Sequence, residues 1–390
     1  LWTFTANAKD SIVLRCGQLS GAGPNGYYPY LRLYGPTGVL LANVANDNDT
    51  YLAYQTTNGG TFTVLVGSYY AGDNGSYRLR FMQVPGAFVV ATGDEGGALT
   101  NGANHDGVID LGDEDIWTCT AAAGNNIVLR CGELTGAGPN AFYPYLRLYG
   151  PTGALLATEA QASDAFLSYQ ATNSGVFTVL VGSYYAGDHG SYRLRLASMP
   201  GNFVVPAGDE GGLLAPQIRH EATNDLGDED LWTFTAYKGA VLNLRVEKSG
   251  GAASYNPWAR LYGSNGALLA SGANANPFTL TYTPTNHGRF TLLMGSFYAG
   301  YTGSYRLSGT NISEGLKLSL AKSGGTNLNL GGAGGASNVS YLVHSTTNLA
   351  QSAALWSLVV SNRFDASGAF SLSNLFNPAQ REQYFRLSVP

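Results

Sequence analysis

Charge, cysteine and long apolar runs are scarce in this chain of 390 residues. Lys, Arg, Asp and Glu make up 12% of it, about half the usual share of a soluble domain. The net charge of -5 gives no electrostatic basis for binding nucleic acid or an anionic membrane surface. No apolar run approaches the roughly 20 residues of a membrane-spanning helix, so no membrane span is predicted. The three cysteines are too few for a disulfide-scaffold protein.

Motifs of catalysis and of metal chemistry are missing as well. The sequence has no G-x-S-x-G, H-E-x-x-H, C-x-x-C or P-loop motif. GAGPNG, from Gly21, matches G-x-G-x-x-G only by letter, because a strand follows it and not a helix. The five histidines have no metal-ligand spacing. The sequence therefore predicts that the protein is not an enzyme.

Glycine and tyrosine are abundant, and both recur with an internal repeat. Trp2, Trp117 and Trp232 mark the same position in three equally spaced copies, each containing a strand such as LWTFTA and a later block such as GSYRLRL. Within each copy, alternating runs of Val, Leu, Tyr, Phe and Thr are separated by turn signals such as YGPTG. This pattern predicts about seven or eight antiparallel strands per copy and no helix.

The sequence thus predicts an all-β chain of tandem antiparallel, jelly-roll-like β-sandwiches. The predicted repeats occupy residues 1–90, 91–204 and 205–311. Residues 312–390 are predicted to form a small C-terminal β-sandwich of the immunoglobulin or fibronectin kind.

The segments that lead into copies two and three are acidic and have no counterpart before Leu1. We name residues 91–115 and 206–230 the acidic connectors; they end in HDGVIDLGDED and HEATNDLGDED. The first residues of the chain are typical of a strand and not of a secretion signal, so we expect a mature, trimmed or partial chain. Repeat 1 is therefore predicted to lack its first strand. Either the natural chain continues upstream with more repeats, which we favour, or another chain supplies the strand.

The order of motifs in each copy resembles the bacterial pre-peptidase C-terminal domain. GDEGG, LGDED-x-WTFTA, LRLYGPTGALLA, SGVFTVLVGS and GSYRLRL carry this resemblance, which covers about residues 1 to 310. The tail, which ends in QYFRLSVP, is similar to terminal modules of large repetitive secreted proteins from Verrucomicrobia-like bacteria. The resemblance implies a non-catalytic β-sandwich exported with secreted peptidases or other surface proteins. Some members of the family bind calcium near the acidic segment, where GDEGG replaces the family's Glu-Pro-Asn-Asp pattern, and a few bind collagen-like or polysaccharide targets.

Acidic residues gather in both connectors, and calcium is the only cofactor that they favour. Calcium takes about six to eight oxygen ligands, mostly from carboxylates and carbonyls. The alternative is that these carboxylates solubilise the joint and accept N–H groups of turns. The candidate calcium ligands are Asp94, Glu95, Asp113, Asp115, Asp209, Glu210, Asp228 and Asp230.

The cysteines allow two interpretations. Cys119 and Cys131 lie symmetrically about the AAGNN turn and share the parity of core-facing neighbours, which predicts a disulfide across a hairpin. Alternatively they fill core positions as small hydrophobic residues. Cys16 is predicted to be a buried free thiol.

Adjacent tyrosines recur in the copies, and neighbours in a strand cannot both point inward. Exposed tyrosines beside arginines suit a protein–protein contact or a sugar platform, whereas the alternative is a half-buried ring with a hydrated hydroxyl. The predicted interaction surface comprises Tyr27, Tyr28, Tyr69, Tyr70, Tyr184 and Tyr185.

These features favour a non-catalytic structural protein of the bacterial cell surface or extracellular space. It would be a rod of tandem sandwiches, a subunit of a fibre or filament, or an adhesin stalk, and it would assemble by self-association or by contact with other surface proteins. The alternative is a set of accessory modules that hold a secreted hydrolase on a collagen-like protein or a polysaccharide.

Overall fold

The computed structural model describes residues 1–138, 140–323, 327–335, 338–373, 375, 377 and 379–389. Within them the chain is all-β, which confirms the predicted fold class: the strands run from β1 to β31, and the only helical element described is one 3-10 turn at Ala353–Leu355. No helix in this part of the chain is long and apolar enough to cross a membrane.

Repeat 1 folds into two facing antiparallel sheets. Sheet A has the strand order β1-β6-β3-β4, and sheet B has the order β5-β2-β7. Alternation along β2 sends Ile12, Leu14 and Cys16 into the core between the sheets, and turns Val13 and Arg15 to the outer face of sheet B. The strands are β1 (Trp2–Ala6), β2 (Ser11–Ala22), β3 (Pro29–Tyr34), β4 (Leu40–Ala45), β5 (Asp49–Gln55), β6 (Gly60–Ser68) and β7 (Asn74–Val84).

Repeat 2 has the same two sheets, and each gains one strand from the acidic connector. Sheet C has the order β13-β12-β15-β10-β8, and sheet D has the order β14-β11-β16-β9. The connector strand β8 pairs in parallel with β10, whereas β9 pairs antiparallel with β16. The strands are β8 (Gly96–Ala98), β9 (Asn104–Ile109), β10 (Asp115–Ala121), β11 (Asn126–Ala137), β12 (Pro144–Tyr149), β13 (Leu155–Ala160), β14 (Asp164–Gln170), β15 (Gly175–Ser183) and β16 (His189–Met199).

Repeat 3 repeats this arrangement. Sheet E has the order β17-β19-β24-β21-β22, and sheet F has the order β18-β25-β20-β23. The strands are β17 (Gly212–Leu213), β18 (His220–Asn224), β19 (Asp230–Ala236), β20 (Leu242–Lys248), β21 (Pro257–Tyr262), β22 (Leu268–Gly272), β23 (Phe278–Tyr282), β24 (Gly288–Ser296) and β25 (Gly303–Thr310).

The repeats stack sheet against sheet, so that sheets A to F follow one another as layers. The outer face of sheet B packs on the outer face of sheet C through a buried cluster that includes Val13, Met82 and Leu180. Sheet D packs on sheet E through a second such cluster, which includes Val128 and Leu293. Both faces of sheets B to E are therefore covered, one by the partner sheet of the same repeat and one by the neighbouring repeat.

The described part of the C-terminal module contains two three-stranded sheets, β26-β27-β30 and β29-β28-β31. Tyr341, Val343, Phe364 and Phe370 pack together in its core. The Tyr237 hydroxyl of repeat 3 donates a hydrogen bond to the Gly334 carbonyl at 2.9 Å. Part of the predicted module 312–390 lies outside the described residues. The strands are β26 (Lys317–Ser323), β27 (Asn327–Ala333), β28 (Ser340–Thr346), β29 (Ser357–Arg363), β30 (Phe370–Leu372) and β31 (Tyr384–Ser388).

Candidate functional site

The boundary between repeats 1 and 2 holds a buried network of charged side chains. Arg15, on the outer face of β2, lies with Nη2 2.5 Å from Asp49 Oδ2 and with Nη1 3.4 Å from Glu114 Oε1 of the connector. Glu114 Oε1 also accepts a hydrogen bond from Arg147 Nη2 at 2.5 Å. Arg15 Nη1 donates to the Ser183 carbonyl oxygen at 3.3 Å. Burial raises the pKa of Asp49, and the adjacent Arg15 guanidinium opposes that shift.

The boundary between repeats 2 and 3 reproduces this network. Arg130 Nη2 lies 2.5 Å from Asp164 Oδ2, and its Nη1 lies 3.5 Å from Glu229 Oε1. Glu229 also pairs with Arg260. The network was not predicted, although the recurring Arg-Cys-Gly and Gly-Asp-Glu-Asp motifs mark its arginine and its glutamate.

A glycine two residues after each of Arg15 and Arg130 lets the next connector approach closely. A β-carbon at Gly17 would lie 2.2 Å from the Gly112 nitrogen, and one at Gly132 would lie 2.0 Å from the Gly227 nitrogen. Gly112 itself has a φ of 73°, a conformation that side chains disfavour. Gly17 and Gly132 therefore let the turn of the following connector pack directly against the preceding repeat.

The structure brings six of the eight predicted calcium ligands into two clusters. Carboxylate oxygens of Asp94, Glu95 and Asp115 lie within 4.8 Å of one another, and so do those of a second trio in repeat 3, which comprises Asp209, Asp228 and Asp230. Asp113 lies outside its cluster and pairs with Arg80 at 2.6 Å.

Each cluster already contains a cation supplied by the preceding repeat. Arg80 pairs with both Asp94 and Asp113, and Arg195 pairs in the same way with Asp209 and Asp228. The remaining predicted ligand, Glu210, lies outside the second cluster. The carboxylates therefore clamp the connector to the repeat before it.

One carboxylate oxygen in each cluster nevertheless stays unpaired. Asp115 and Asp230 are fully buried, and Oδ1 of each has no hydrogen-bond partner among the described residues. Burial raises the pKa of Asp115 to about 8, although the Tyr192 hydroxyl donates to its Oδ2 at 2.5 Å. Burial raises the pKa of Asp230 as well, and Tyr305 donates to it at 2.6 Å. These free oxygens, beside two further carboxylates, offer the hard donors that calcium prefers.

All three cysteines are buried and free, so no bridge joins Cys119 to Cys131. The predicted hairpin disulfide does not form because the two residues belong to opposite sheets. Cys119 lies across from Phe177 in sheet C, whereas Cys131 lies across from Ala165 in sheet D. Cys16 is a buried free thiol in the core of repeat 1.

The predicted tyrosine surface divides into exposed and buried members. Tyr69, Tyr70, Tyr184 and Tyr185 are exposed, and Tyr28 is half-buried. Tyr27 is buried instead, because its ring stacks on that of Tyr77 at 5.9 Å. Tyr27 is therefore part of the packing of repeat 1 and not of its surface.

Exposed rings and half-buried rings beside them form one cluster in each repeat, and we name the three clusters together the aromatic edge. Within the first cluster the rings meet edge to face at centroid distances such as 5.1 Å for Tyr69 and Tyr70. The two arginines that pair with Glu114 and Glu229 each stack on a ring of these clusters. The guanidinium carbon of Arg147 lies 4.7 Å from the ring centre of Tyr145, and that of Arg260 lies 4.0 Å from the ring centre of Trp258. The members are Tyr28, Tyr30, Tyr69 and Tyr70, then Tyr143, Tyr145, Tyr184 and Tyr185, then Trp258, Phe297 and Tyr298.

Comparisons of this chain with protein families, curated proteins and solved structures give no relationship that supports a family assignment. No protein-family model matches it, and no curated protein matches it in sequence. The CUB1-EGF-CUB2 domains of rat MASP-1 are 11% identical, with a TM-score of 0.18 over 55% of this chain and 100% of that one. Tripeptidyl peptidase 2 is 9% identical, with a TM-score of 0.18 over 95% of this chain and 35% of that one. Trypsin-activated alpha-2-macroglobulin from Escherichia coli is 11% identical, with a TM-score of 0.13 over 93% and 28%. Scores this low carry no argument about fold or function.

Proposed function

We propose that this protein is a non-catalytic structural protein of the cell surface or extracellular space, built as a rod of stacked β-sandwiches. The observation that carries the proposal is the sheet-to-sheet boundary, which recurs with the same arginine, glutamate and glycine positions. Domains of one chain move relative to one another by default unless their interface is large and apolar. Here each boundary combines an apolar cluster with buried ion pairs, so a stiff rod is the function that this geometry supports best.

The aromatic edge is the surface through which we expect the rod to associate. Tyrosine and tryptophan supply large, rigid contact area at low entropic cost, and they are enriched among residues that dominate binding energy. Each repeat presents a cluster of rings at the equivalent position, so a second rod or another surface protein would meet several similar contacts at once. This multiplicity suits lateral association into a fibre.

The aromatic edge also supports the second candidate, a set of accessory modules of a secreted hydrolase. Exposed rings such as Tyr69 and Tyr184 would stack on sugars or on a collagen-like chain equally well. We further propose that calcium is a ligand of the two carboxylate clusters, held by Asp115 with Asp94 and Glu95, and by Asp230 with its two neighbours. Calcium bound there would link the early part of each connector to its last residue, Asp115 or Asp230, which begins the tryptophan strand.

The proposal is tested by following the assembly of the purified full chain. Sedimentation velocity over a range of concentrations, with and without calcium, is expected to show association, and electron micrographs are expected to show elongated particles. A chain that stays monomeric at every concentration, with and without calcium, would rule out the filament subunit. Co-sedimentation with insoluble collagen, cellulose, chitin or peptidoglycan tests the accessory-module alternative, which requires depletion of the monomer by one of these polymers.

A further inference from the structure

Charge is divided unevenly along this chain. Residues 1–230, which end with the second acidic connector, carry 10 basic and 22 acidic side chains, whereas residues 231–390 carry 11 basic and 4 acidic ones. The net charge of -5 thus combines -12 in the first part with +7 in the second. Asymmetry of this kind indicates that one part of a chain meets a charged partner. The basic part is therefore where we expect an anionic ligand.

A cleft lies in this basic part, between repeat 3 and the C-terminal module, and we name it the C-terminal cleft. Its volume of about 750 Å³ falls within the range of about 300–1,000 Å³ that is typical of ligand sites. Contacts between the two domains hold it together: the Tyr237 hydroxyl donates to the Gly334 carbonyl at 2.9 Å, and the backbone N–H of Thr235 donates to the Ser313 carbonyl at 2.7 Å. Boundaries between domains are common places for ligand sites.

Three charged side chains line the described part of the C-terminal cleft, and one of them lacks a partner. Lys317 Nζ lies 2.6 Å from Glu314 Oε2, so these two charges balance each other. Lys238 is exposed and forms no ion pair or hydrogen bond among the described residues. The cleft therefore offers one uncompensated cation, which suits a ligand with a negative group.

Neutral hydrogen-bonding groups lie beside this cation in the lining of the cleft. The side-chain amide of Gln217 has no hydrogen-bond partner among the described residues. Asn311 donates from Nδ2 to the Val241 carbonyl at 2.7 Å, which leaves its Oδ1 free to accept. Gln217 and Asn311 have φ angles of 62° and 59°, a conformation that is uncommon outside glycine and that is concentrated at functional sites. The lining thus presents both donors and acceptors to a ligand.

The same lining favours a hydroxylated ligand over a nucleic acid or a peptide. Tyr237 is the one aromatic residue in the described lining, and it is 5% exposed, so a nucleobase finds no ring on which to stack. An extended peptide pairs with the edge of a strand, whereas Gln217 and Lys238 lie in turns and Lys317 lies at the start of β26. Sugar hydroxyls both donate and accept, as hydroxyl groups do in general, and so match these mixed polar groups.

We propose that the C-terminal cleft binds an acidic oligosaccharide, with the carboxylate of a uronic acid on Lys238 and sugar hydroxyls on Gln217 and Asn311. Hydrogen bonds between an ammonium group and a carboxylate are stronger than neutral ones. The acidic first part of the chain repels the same ligand, so an anionic glycan would contact the rod at its C-terminal end only. The inference goes beyond the proposed rod, because the cleft shares no lining residue with the aromatic edge.

Isothermal titration calorimetry of the full chain with oligogalacturonate tests this site. We expect one binding site per chain and an affinity about tenfold above that for an uncharged oligosaccharide of the same length, because a hydrogen bond to a charged group is lost. The affinity is also expected to fall as salt is added. Equal affinity for the uncharged oligosaccharide, or no binding of oligogalacturonate, overturns the proposal. Tighter binding of a heparin oligosaccharide, polyglutamate or single-stranded DNA overturns the assignment to a carboxylated sugar.

Substitutions in the full chain separate the cleft from general surface charge. Lys238→Gln is expected to lower the affinity about tenfold, whereas Lys238→Arg keeps the charge and is expected to retain binding. Glu314→Gln is expected to raise the affinity about threefold, because it removes a repelling carboxylate and frees Lys317. Lys9→Gln is the matched control, since Lys9 is an exposed lysine of repeat 1. Equal losses in Lys238→Gln and Lys9→Gln, or a loss in Glu314→Gln, overturn the proposal.

Failure of this inference and failure of the proposed rod give different results. Tyr184→Ser with Tyr185→Ser alters the aromatic edge and is expected to leave the affinity for oligogalacturonate unchanged. A lower affinity in that variant would place the sugar on the aromatic edge and overturn the inference. A monomeric chain that binds oligogalacturonate supports the C-terminal cleft and contradicts the filament, whereas an associating chain that does not bind it does the reverse.

Discussion

Glu114 Oε1 lies 3.4 Å from Nη1 of Arg15, which belongs to the preceding repeat, and their side chains are 2% and 3% exposed. The same carboxylate also accepts a hydrogen bond from Arg147. One buried carboxylate thus contacts two guanidinium groups that come from two sandwiches. Taking charges out of water is costly, and the cost is offset only while every partner is present. The boundary therefore depends on this glutamate more than on any exposed ion pair.

Glu114→Gln is expected to lower the free energy of unfolding by about 3–5 kcal/mol, because it leaves Arg147 as an uncompensated buried charge and leaves Arg15 with Asp49 as its one remaining carboxylate partner among the described residues. Chemical denaturation followed by tryptophan fluorescence measures the change. We also expect repeats 1 and 2 to unfold in separate steps, since the boundary that couples them is weakened.

Asp110→Asn is the matched control, since Asp110 lies in the same connector as Glu114 and pairs with Arg78 of repeat 1. The two side chains are 59% and 36% exposed, so water already screens the pair. We expect a change within about 0.5 kcal/mol. Equal losses for the two substitutions would mean that the buried network does not hold the boundary together.

The three thiols are expected to resist reagents in the folded protein. Burial raises the pKa of Cys16 and of Cys119 to about 12, and thiolate, not thiol, is the reactive form. Alkylation of the native chain is expected to modify no cysteine, whereas alkylation after unfolding without reductant is expected to modify all three, as measured by intact mass. Modification of a single cysteine under the second condition would indicate a Cys119–Cys131 bridge and contradict the structure.

The sequence was enough to find the repeats and the two faces of each strand. The alternation in β2 places Ile12 and Leu14 on one face and Val13 and Arg15 on the other, as the structure has them. Periodicity cannot say what covers a face, because it reports only which residues share it. An arginine on the outer face is expected to meet solvent, and only the stacking of sheets reveals that Arg15 is buried.

The same limit explains why two predictions at the candidate site, the Cys119–Cys131 disulfide and the exposed Tyr27, differ from the structure. Parity placed Cys119 and Cys131 on inward faces, which is right, but it does not distinguish one sheet from two facing sheets. Tyr27 lies in a loop, outside any strand, where alternation gives no information about burial. Contacts between elements distant in the chain decide both cases.

The stability of the protein without calcium is expected to fall as the pH rises through neutrality. Burial raises the pKa of Asp115 to about 8 and that of Asp228 to about 7, far above the usual value of about 4. The unfolded chain therefore releases these protons at lower pH than the folded chain does. The stabilisation that the protonated carboxyl groups of Asp115 and Asp228 contribute is complete below about pH 4 and is lost progressively up to about pH 8. Unfolding by denaturant across this pH range measures the slope of the free energy of unfolding against pH. Asp115→Asn is expected to reduce that slope. A slope unchanged in that variant would contradict the assignment.

Calcium is expected to reverse that loss, because a metal ion needs the deprotonated carboxylate. We expect calcium to raise Tm more at about pH 9 than at about pH 5. Magnesium at the same concentration serves as the control, since it demands a more regular octahedral shell of ligands. Asp115→Asn combined with Asp230→Asn is expected to remove the effect of calcium. A Tm shift that is equally large in the double variant would place calcium elsewhere on the chain.

Substitutions in the aromatic edge are expected to weaken association of the protein without weakening its folding. Tyr184 and Tyr185 are exposed and meet each other edge to face at 5.0 Å. Replacing both by serine is expected to leave the free energy of unfolding within about 1 kcal/mol, since surface residues contribute little to folding. Association measured by sedimentation, or binding to an insoluble polymer, is expected to fall at least tenfold, because exposed rings of this kind supply most of the energy of a contact. Leu155→Ser removes an exposed apolar residue outside the edge and is expected to leave association unchanged. Equal loss in both variants would mean that general surface hydrophobicity, and not the aromatic edge, drives association.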